Sequence, residues 1–436
     1  MMAGGLILSL ASRLWRRFYQ RDNDGWVKKQ ALLAGRYEKI RERLVLNIAD
    51  GKKIRVLFLV RENQKWGAQS LYEELEKDIA FEPVVVVAPL KQLGRSVGKT
   101  QLLQLGENYS FFKNKNMNVE LGYDQGRKCF IPLKTFFPDV VFYDQPYGLS
   151  YSHRIEVVSR YALTCYIPYG YGLYLARESG QLSSNFFPLI WRVYLESRGL
   201  LNGWDDSPIV EYGNYIYLGY PKMDALLSQL PRSRHAGSRM GESVSSEKVV
   251  VFAPHHSLES GHHNQYATFP WSGEDVLELA RGTPQFRWVF KPHPRLKYTL
   301  VKSGTMKADE VEKYYKSWRM LPNAEIVDDG DYLEILKHSD AMITDCGSFL
   351  LEYLITGKPL IHLVNSDSQG YSSFGEEVVR NFYKAVDGES LSVLFERVVV
   401  NGDDFLYEER IRNVCLPSGV AGREIKDDLK RAILAV

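Results

Sequence analysis

Two stretches of this chain carry residue types suited to a phosphorylated ligand: Phe290-Lys291-Pro292-His293-Pro294 and Ile343-Thr344-Asp345-Cys346-Gly347-Ser348. Each follows an apolar run, so each is expected to leave the carboxyl end of a parallel strand, the edge where open α/β sheets bind ligands. In the first, two prolines fix φ and remove backbone donors, which holds Lys291 and His293 in place. A fixed cation beside an imidazole suits a pyrophosphate whose leaving oxygen gains charge. The same residues also read as a rigid loop whose histidine satisfies nearby carbonyls. In the second stretch the strand turns into a helix whose first amides and dipole face any anion placed there. Gly347 permits close approach and Ser348 adds a hydroxyl. Glu352, one turn on, shares the helical face of Ser348 and is placed to take a ribose diol. Asp345 can equally be a plain helix cap.

A third strand end, Ala253-Pro254, runs into His255-His256-Ser257, with His262-His263 shortly after. Imidazole is a common zinc ligand, but apart from Glu259 no carboxylate or cysteine completes a recognised spacing. The expectation is therefore no metal: one of His255 and His256 donates hydrogen bonds into a cleft, and His262-His263 sits on a solvated loop. Neither G-x-G-x-x-G nor G-x-x-x-x-G-K-[ST] occurs, which disfavours dinucleotide and P-loop readings.

The elements that must position these groups form two blocks of strand-helix alternation. In the first, strands are expected at Ile54 to Val60, Pro83 to Ala88, Val140 to Tyr143 and Thr164 to Pro168, with helices at Ala68 to Ile79 and Ser152 to Tyr161. Short apolar runs between helical patterns argue for parallel strands covered on both faces. Glu107 to Tyr123 fits no pattern, and the aromatic, Gly-rich stretch from Tyr171 to Tyr217 reads as irregular. A Ser-, Arg- and Gly-rich stretch from about Pro231 to Glu247 reads as a linker. The second block has strands at Val249 to Ala253, Trp288 to Lys291, Ala324 to Val327, Ala341 to Thr344 and Pro359 to Val364. Asp331 and Glu334 suggest a capping box, and the tail from Asp403 ends in a charged amphipathic helix. The expected organisation is a helical segment over 1–50, a first Rossmann-like domain over 51–217, a linker over 218–248, a second such domain over 249–402 and a tail over 403–436.

At 436 residues the chain is too long for one ordinary core. A net charge of +2 does not by itself imply a nucleic-acid partner. Cys129, Cys165, Cys346 and Cys415 show no C-x-x-C spacing, which fits a reducing compartment. No run approaches the ~20 apolar residues of a membrane span. The first residues differ from the rest: Leu6, Ile7, Leu10, Leu14, Trp15 and Phe18 recur at roughly helical spacing beside Arg13, Arg16, Arg17 and Arg21. Such a helix either lies in the headgroup layer of an anionic leaflet or packs on the protein's own body. The first reading implies a cytoplasmic protein, peripheral on the inner face of the cell membrane.

The order GYPKMD at 219–224, APHH at 253–256, FKPHP at 290–294 and SDAMITDCGSFLLEYLITGKPLIHL at 339–363 resembles the CDP-glycerol glycerophosphotransferase family, which includes teichoic-acid primases and polymerases and capsule and O-antigen enzymes. PDVVFYDQPY at 138–147 and CYIPYGY at 165–171 are weaker points of likeness. The resemblance implies a GT-B fold of two Rossmann-like domains across a cleft, with no cofactor besides the CDP-glycerol donor and with a lipid-linked or polymeric glycan as acceptor. It implies that Lys291 and His293 contact the donor phosphates, that Ser348 binds phosphate and that Glu352 lies near the nucleotide. His293 would then protonate or hydrogen-bond the departing phosphate.

The sequence departs from the family where its teichoic-acid enzymes carry a catalytic histidine in a His-Gly-Thr segment; here Ile167-Pro168-Tyr169-Gly170-Tyr171 stands instead. The first block offers Asp144 and His153 as bases, Asp144 being favoured, with Tyr169 as a positioning hydroxyl. A nucleotide-sugar glycosyltransferase or epimerase, and a non-catalytic membrane-associated assembly protein, are the alternatives.

Overall fold

The computed structural model describes residues 28, 31–91, 96–170, 186–195, 214–227, 247–258, 265–328, 332–368, 370–371, 373–413 and 420–434. The basic helix over 1–21, the His262-His263 pair, the Asp331 cap and most of the linker lie outside these residues.

Two parallel sheets dominate. In the first, β1 (Ile54–Val60), β2 (Phe81–Val87), β3 (Val119–Leu121), β6 (Val140–Tyr143), β7 (Leu163–Tyr166), β8 (Arg192–Leu195) and β9 (Tyr215–Tyr217) run in the order β3-β2-β1-β6-β7-β8-β9. A hairpin of β4 (Tyr123–Asp124) and β5 (Cys129–Phe130) stands apart. The second sheet is built of β10 (Val249–Ala253), β11 (Arg287–Phe290), β12 (Ala324–Ile326), β13 (Ala341–Thr344), β14 (Leu360–Leu363) and β15 (Tyr383–Ala385), in the order β12-β11-β10-β13-β14-β15. Central strands such as β1 and β13 are buried along almost their whole length, as Val- and Ile-rich parallel strands covered on both faces must be. The doubly wound pair is a GT-B arrangement, two Rossmann-like units across a cleft.

In both sheets the strand order reverses beside the first strand, between β1 and β6 and between β10 and β13. Those switch points open a crevice at the carboxyl ends of the strands. The residues that leave β1, β6, β10 and β13 are therefore the ones placed for chemistry.

The central strands and the edge strand β12 stand close to where the apolar runs put them; β3, β8, β9 and β15 were not expected. Glu107 to Tyr123, which fitted no pattern, holds the end of the Lys99–Asn114 helix and then β3. The stretch read as irregular contains β8 and β9, and β15 was missed altogether. The helix expected over Ser152 to Tyr161 is a short turn at Tyr151–His153 followed by Ile155–Val158.

The Ala421–Leu434 helix returns to the first sheet and lies on the Gln69–Lys77 helix. Asp224, from the GYPKMD stretch, accepts the amides of Ala421 at 2.9 Å and Gly422 at 2.8 Å, capping that returning helix. Asp428 accepts from Arg192 and from the Tyr194 hydroxyl, both at 2.9 Å, tying the tail to β8.

Candidate active site

At the switch point of the second sheet, backbone bonds draw three loops together. The His293 amide donates to the Pro254 carbonyl at 3.2 Å, which brings the exit of β11 against the exit of β10. Asp345, at the end of β13, accepts the His255 amide on Oδ1 at 2.6 Å, and on Oδ2 it accepts the Thr268 amide at 2.6 Å and hydroxyl at 2.9 Å. With no exposed surface and both oxygens engaged, Asp345 ties His255 to Thr268 and is not placed to contact a ligand directly. Burial pushes its carboxyl up to about 6, the three bonds opposing that rise.

The clamp gathers His255, His256 and His293. The rings of His256 and His293 are 4.0 Å apart, those of His255 and His256 stack at 4.6 Å, and those of His255 and His293 meet at 5.4 Å. One of the first pair was expected to face the cleft; both belong to the cluster, and its third member lies on another strand, beyond reach of a local spacing rule. Their ring nitrogens come within 4.8 Å of one another, the separation that makes the trio a metal candidate on distance alone. Burial first, then the His256 and His255 rings, then Arg295 and Lys291, push His293 down to about 2, so its imidazole is neutral. A neutral ring can donate a hydrogen bond, one of the two roles that the resemblance implies for His293.

Beside the cluster, the Gly347–Leu354 helix starts at Cys346 without a side-chain cap, leaving first-turn amides to an incoming anion. Ser348 is half-buried there, 3.3 Å from the Cys346 thiol. Lys291 Nζ reaches the Asp328 carbonyl at 3.5 Å, at the end of β12. Glu352 is buried, with Oε1 accepting the Tyr332 hydroxyl at 2.8 Å and Oε2 without a hydrogen-bond partner. Burial raises its carboxyl, opposed by Lys222 and by the Tyr332 bond. Lys222 lies 4.6 Å over the Tyr332 ring, so GYPKMD reaches the second block through Lys222, while Asp224 caps the Ala421–Leu434 helix.

At the switch point of the first sheet, Asp144 leaves β6 beside Arg61, which leaves β1. Arg61 Nη2 donates to Asp144 Oδ1 at 3.1 Å and to the Gln145 carbonyl at 2.8 Å, while Nη1 donates to the Tyr147 carbonyl. Asp144 Oδ2 and Gln145 Oε1 are buried without hydrogen-bond partners. Burial raises the Asp144 carboxyl against the pull of Arg61. Asp144 lines a cavity of about 20 Å³ with Trp66, Gly67, Tyr143 and Ile167. That space suits one water or one hydroxyl, and no sugar ring. Glu62 and Lys65 act on the Asp144 carboxyl, Lys65 lies 4.9 Å over the Tyr169 ring, and the Tyr147 and Tyr169 hydroxyls are 3.3 Å apart. Arg61, Glu62 and Lys65 were missed, although the strand-end rule used for the second block points to them once applied to β1.

His153 packs elsewhere, against Ile131 and Phe130. It is buried, with Nε2 bonded to the Ile131 carbonyl at 2.8 Å and the ring edge-on to Phe130, and burial pushes it down to about 4. Its role is structural, so Asp144 is left as the favoured base of the two.

Residues 199–393 match the family model of CDP-glycerol:poly(glycerophosphate) glycerophosphotransferase. Over that segment the chain is similar to the CDP-glycerol glycerophosphotransferases. The glycerophosphotransferase-like segment takes in β9, the histidine cluster, the Gly347 helix start and Glu352, while Asp144 lies outside it. Among solved structures, the wall teichoic acid polymerase TagF aligns with a TM-score of 0.55 at 13% identity, over 92% of this chain and 98% of that one. The UDP-GlcNAc 2-epimerase of Neisseria meningitidis aligns with a TM-score of 0.54 at 16% identity, over 87% of this chain and 100% of that one. At such identities both likenesses speak for the shared fold. Comparison with curated proteins gave no match. Among the described residues, no helix is long and apolar enough to cross a membrane.

Proposed function

We propose that the chain transfers glycerol phosphate from CDP-glycerol to a hydroxyl of a cell-envelope glycan of the teichoic-acid kind, the acceptor being lipid-linked or polymeric. The observation that carries this reading is the gathering of His255, His256 and His293 beside the uncapped Gly347 helix start, inside the segment that matches the glycerophosphotransferase family. The donor pyrophosphate lies against the imidazoles, Lys291 and the helix amides, with Ser348 on a phosphate oxygen and the Glu352 carboxylate near the nucleoside. No separate cofactor takes part.

In the transfer, the acceptor oxygen forms a new bond to the phosphorus that carries glycerol. The bond from that phosphorus to the CMP oxygen breaks, and CMP leaves with the electron pair. Asp144 Oδ2 takes the acceptor proton; burial makes this carboxylate a stronger base than a solvated one. The His293 ring donates its N–H to the oxygen on which charge develops, and Lys291 stabilises the same charge. Tyr147 and Tyr169 flank the entering hydroxyl. The basic residues before 22 hold the protein at the membrane surface where such acceptors are presented.

Donor profiling tests this reading. Purified protein with CDP-glycerol and a lipid-linked saccharide releases CMP and gains a phosphodiester on the acceptor. Release of UDP from a UDP-sugar, with none from cytidine donors, would replace it by a nucleotide-sugar reading, and binding without turnover would replace it by a non-catalytic one. For the membrane, deletion of residues 1–21 abolishes partition onto anionic vesicles, and unchanged partition would refute that part.

A further inference from the structure

The histidine cluster has the residue types of a metal site, yet its hydrogen bonds point the wrong way for one. Ser257 is buried, and its hydroxyl oxygen accepts the amides of Tyr266 at 3.0 Å and Ala267 at 3.3 Å. With both lone pairs engaged, the hydroxyl proton of Ser257 is directed to its remaining close partner, His255 Nδ1 at 2.8 Å. The Ser257 amide points at the same nitrogen from 3.3 Å. His255 Nδ1 is therefore an acceptor, and a neutral ring must carry its proton on Nε2. His293 repeats the pattern without a serine, since its Nδ1 accepts the Arg295 amide at 3.1 Å.

A histidine that ligates a metal donates its other ring N–H to an acceptor. Here the Nδ1 atoms of both rings face donors. Coordination through Nε2 would move each proton to Nδ1, against the Ser257 hydroxyl and amide and against the Arg295 amide. Coordination through Nδ1 would displace those same groups.

We propose that the cluster is an anion cradle of neutral imidazoles, in which Ser257 is the positioning residue that fixes His255 as the Nε2–H tautomer, so that it takes a phosphate group and rejects transition-metal ions. The inference rests on the donor reading above for the identity of that phosphate, a diphosphate-linked nucleotide. Neutral donors hold a diphosphate without requiring protonation at neutral pH, and they leave no lone pair at Nε2 for zinc.

The test uses the full chain with isotope-labelled histidine and two-bond proton–nitrogen spectra, the rings being assigned with His255→Gln and His293→Gln. In the wild type, both rings show the Nε2–H pattern near neutral pH. Ser257→Ala turns His255 into a mixture of tautomers and leaves His293 unchanged, and Ser257→Thr restores the pattern. Inorganic pyrophosphate perturbs both rings in the wild type and binds Ser257→Ala about tenfold more weakly, as loss of one oriented donor predicts. Equimolar zinc leaves the three rings of the wild type unperturbed. An Nδ1–H pattern for His255 in the wild type, an unaltered His255 in Ser257→Ala, or stoichiometric zinc binding to the three rings would each overturn the proposal. Neither probe contains cytidine or glycerol, so a chain that shows these tautomers but releases no CMP keeps this inference and loses the donor assignment.

Discussion

Asp144 presents one oxygen to Arg61 Nη2 at 3.1 Å and keeps its other oxygen buried without a hydrogen-bond partner. Arg61 is itself fully enclosed, so the pair both fixes the carboxylate and leaves it one oxygen to use. Asp144→Asn keeps the shape and removes the basicity. Transfer should fall by about 10²- to 10⁴-fold in kcat, with the KM for donor little changed. Undiminished turnover in folded Asp144→Asn would place the base elsewhere. Arg61→Met should instead act on the fold, since stranding one member of a buried pair costs about 3–5 kcal/mol, readable in urea unfolding.

Asp345 acts on the proposed donor site through His255 and Thr268, whose amides it holds. Asp345→Asn turns one acceptor oxygen into a donor facing amide donors, at a cost of about 2–3 kcal/mol. The KM for donor should rise as His255 and Thr268 lose their tie, while kcat at saturating donor stays within a fewfold of the wild type. A large loss of kcat with unchanged KM would instead show direct contact with the reacting groups.

Buried His153 gives the fold a defined acid limit. Its folded pKa is pushed from 6.5 down to about 4, so between those values the unfolded chain binds a proton that the folded chain does not. Stability therefore rises with pH across this window, and the contribution is lost as pH falls from 6.5 towards 4, by about 3 kcal/mol at about 1.4 kcal/mol per pH unit. His153→Gln can keep a donor on the Ile131 carbonyl and has no proton to gain. Its unfolding free energy should slope less with pH by about one proton, and an unchanged slope would contradict the assignment.

Gly422 is held where a side chain cannot go. A Cβ there would lie 2.5 Å from the Leu71 amide nitrogen and from Ser70 Oγ. Gly422→Ala should push the Ala421–Leu434 helix off its seat and destabilise the protein by about 1–3 kcal/mol. Faster amide exchange in residues 421–434 would register the loosening, and unaltered exchange would refute it.

How far the sequence alone leads depends on where the stabilising contacts lie. Val249 to Ala253 and Ala341 to Thr344 are legible because a strand buried on both faces must be a continuous apolar run, and residues just past its end must line the sheet edge. Lys291, His293 and Ser348 could therefore be read as candidates for a phosphate site. Strands such as Tyr215–Tyr217 and Tyr383–Ala385 have too few residues to show a period, and pairing with a neighbour defines them.

Residue types and their order determined two Rossmann-like blocks, a candidate phosphate site in the second and, at 167–171 in the first, a stretch without histidine. Only the tertiary structure decided which polar groups remain available for chemistry. Asp345 looked like a site residue, and folding engages it with backbone amides. His153 looked like a base, and folding buries it on a carbonyl. His255 and His293, well apart along the chain, meet with their Nδ1 atoms turned to donors. The reason is that a side chain's chemistry depends on its hydrogen-bond partners and its burial, and here those partners come from distant parts of the chain.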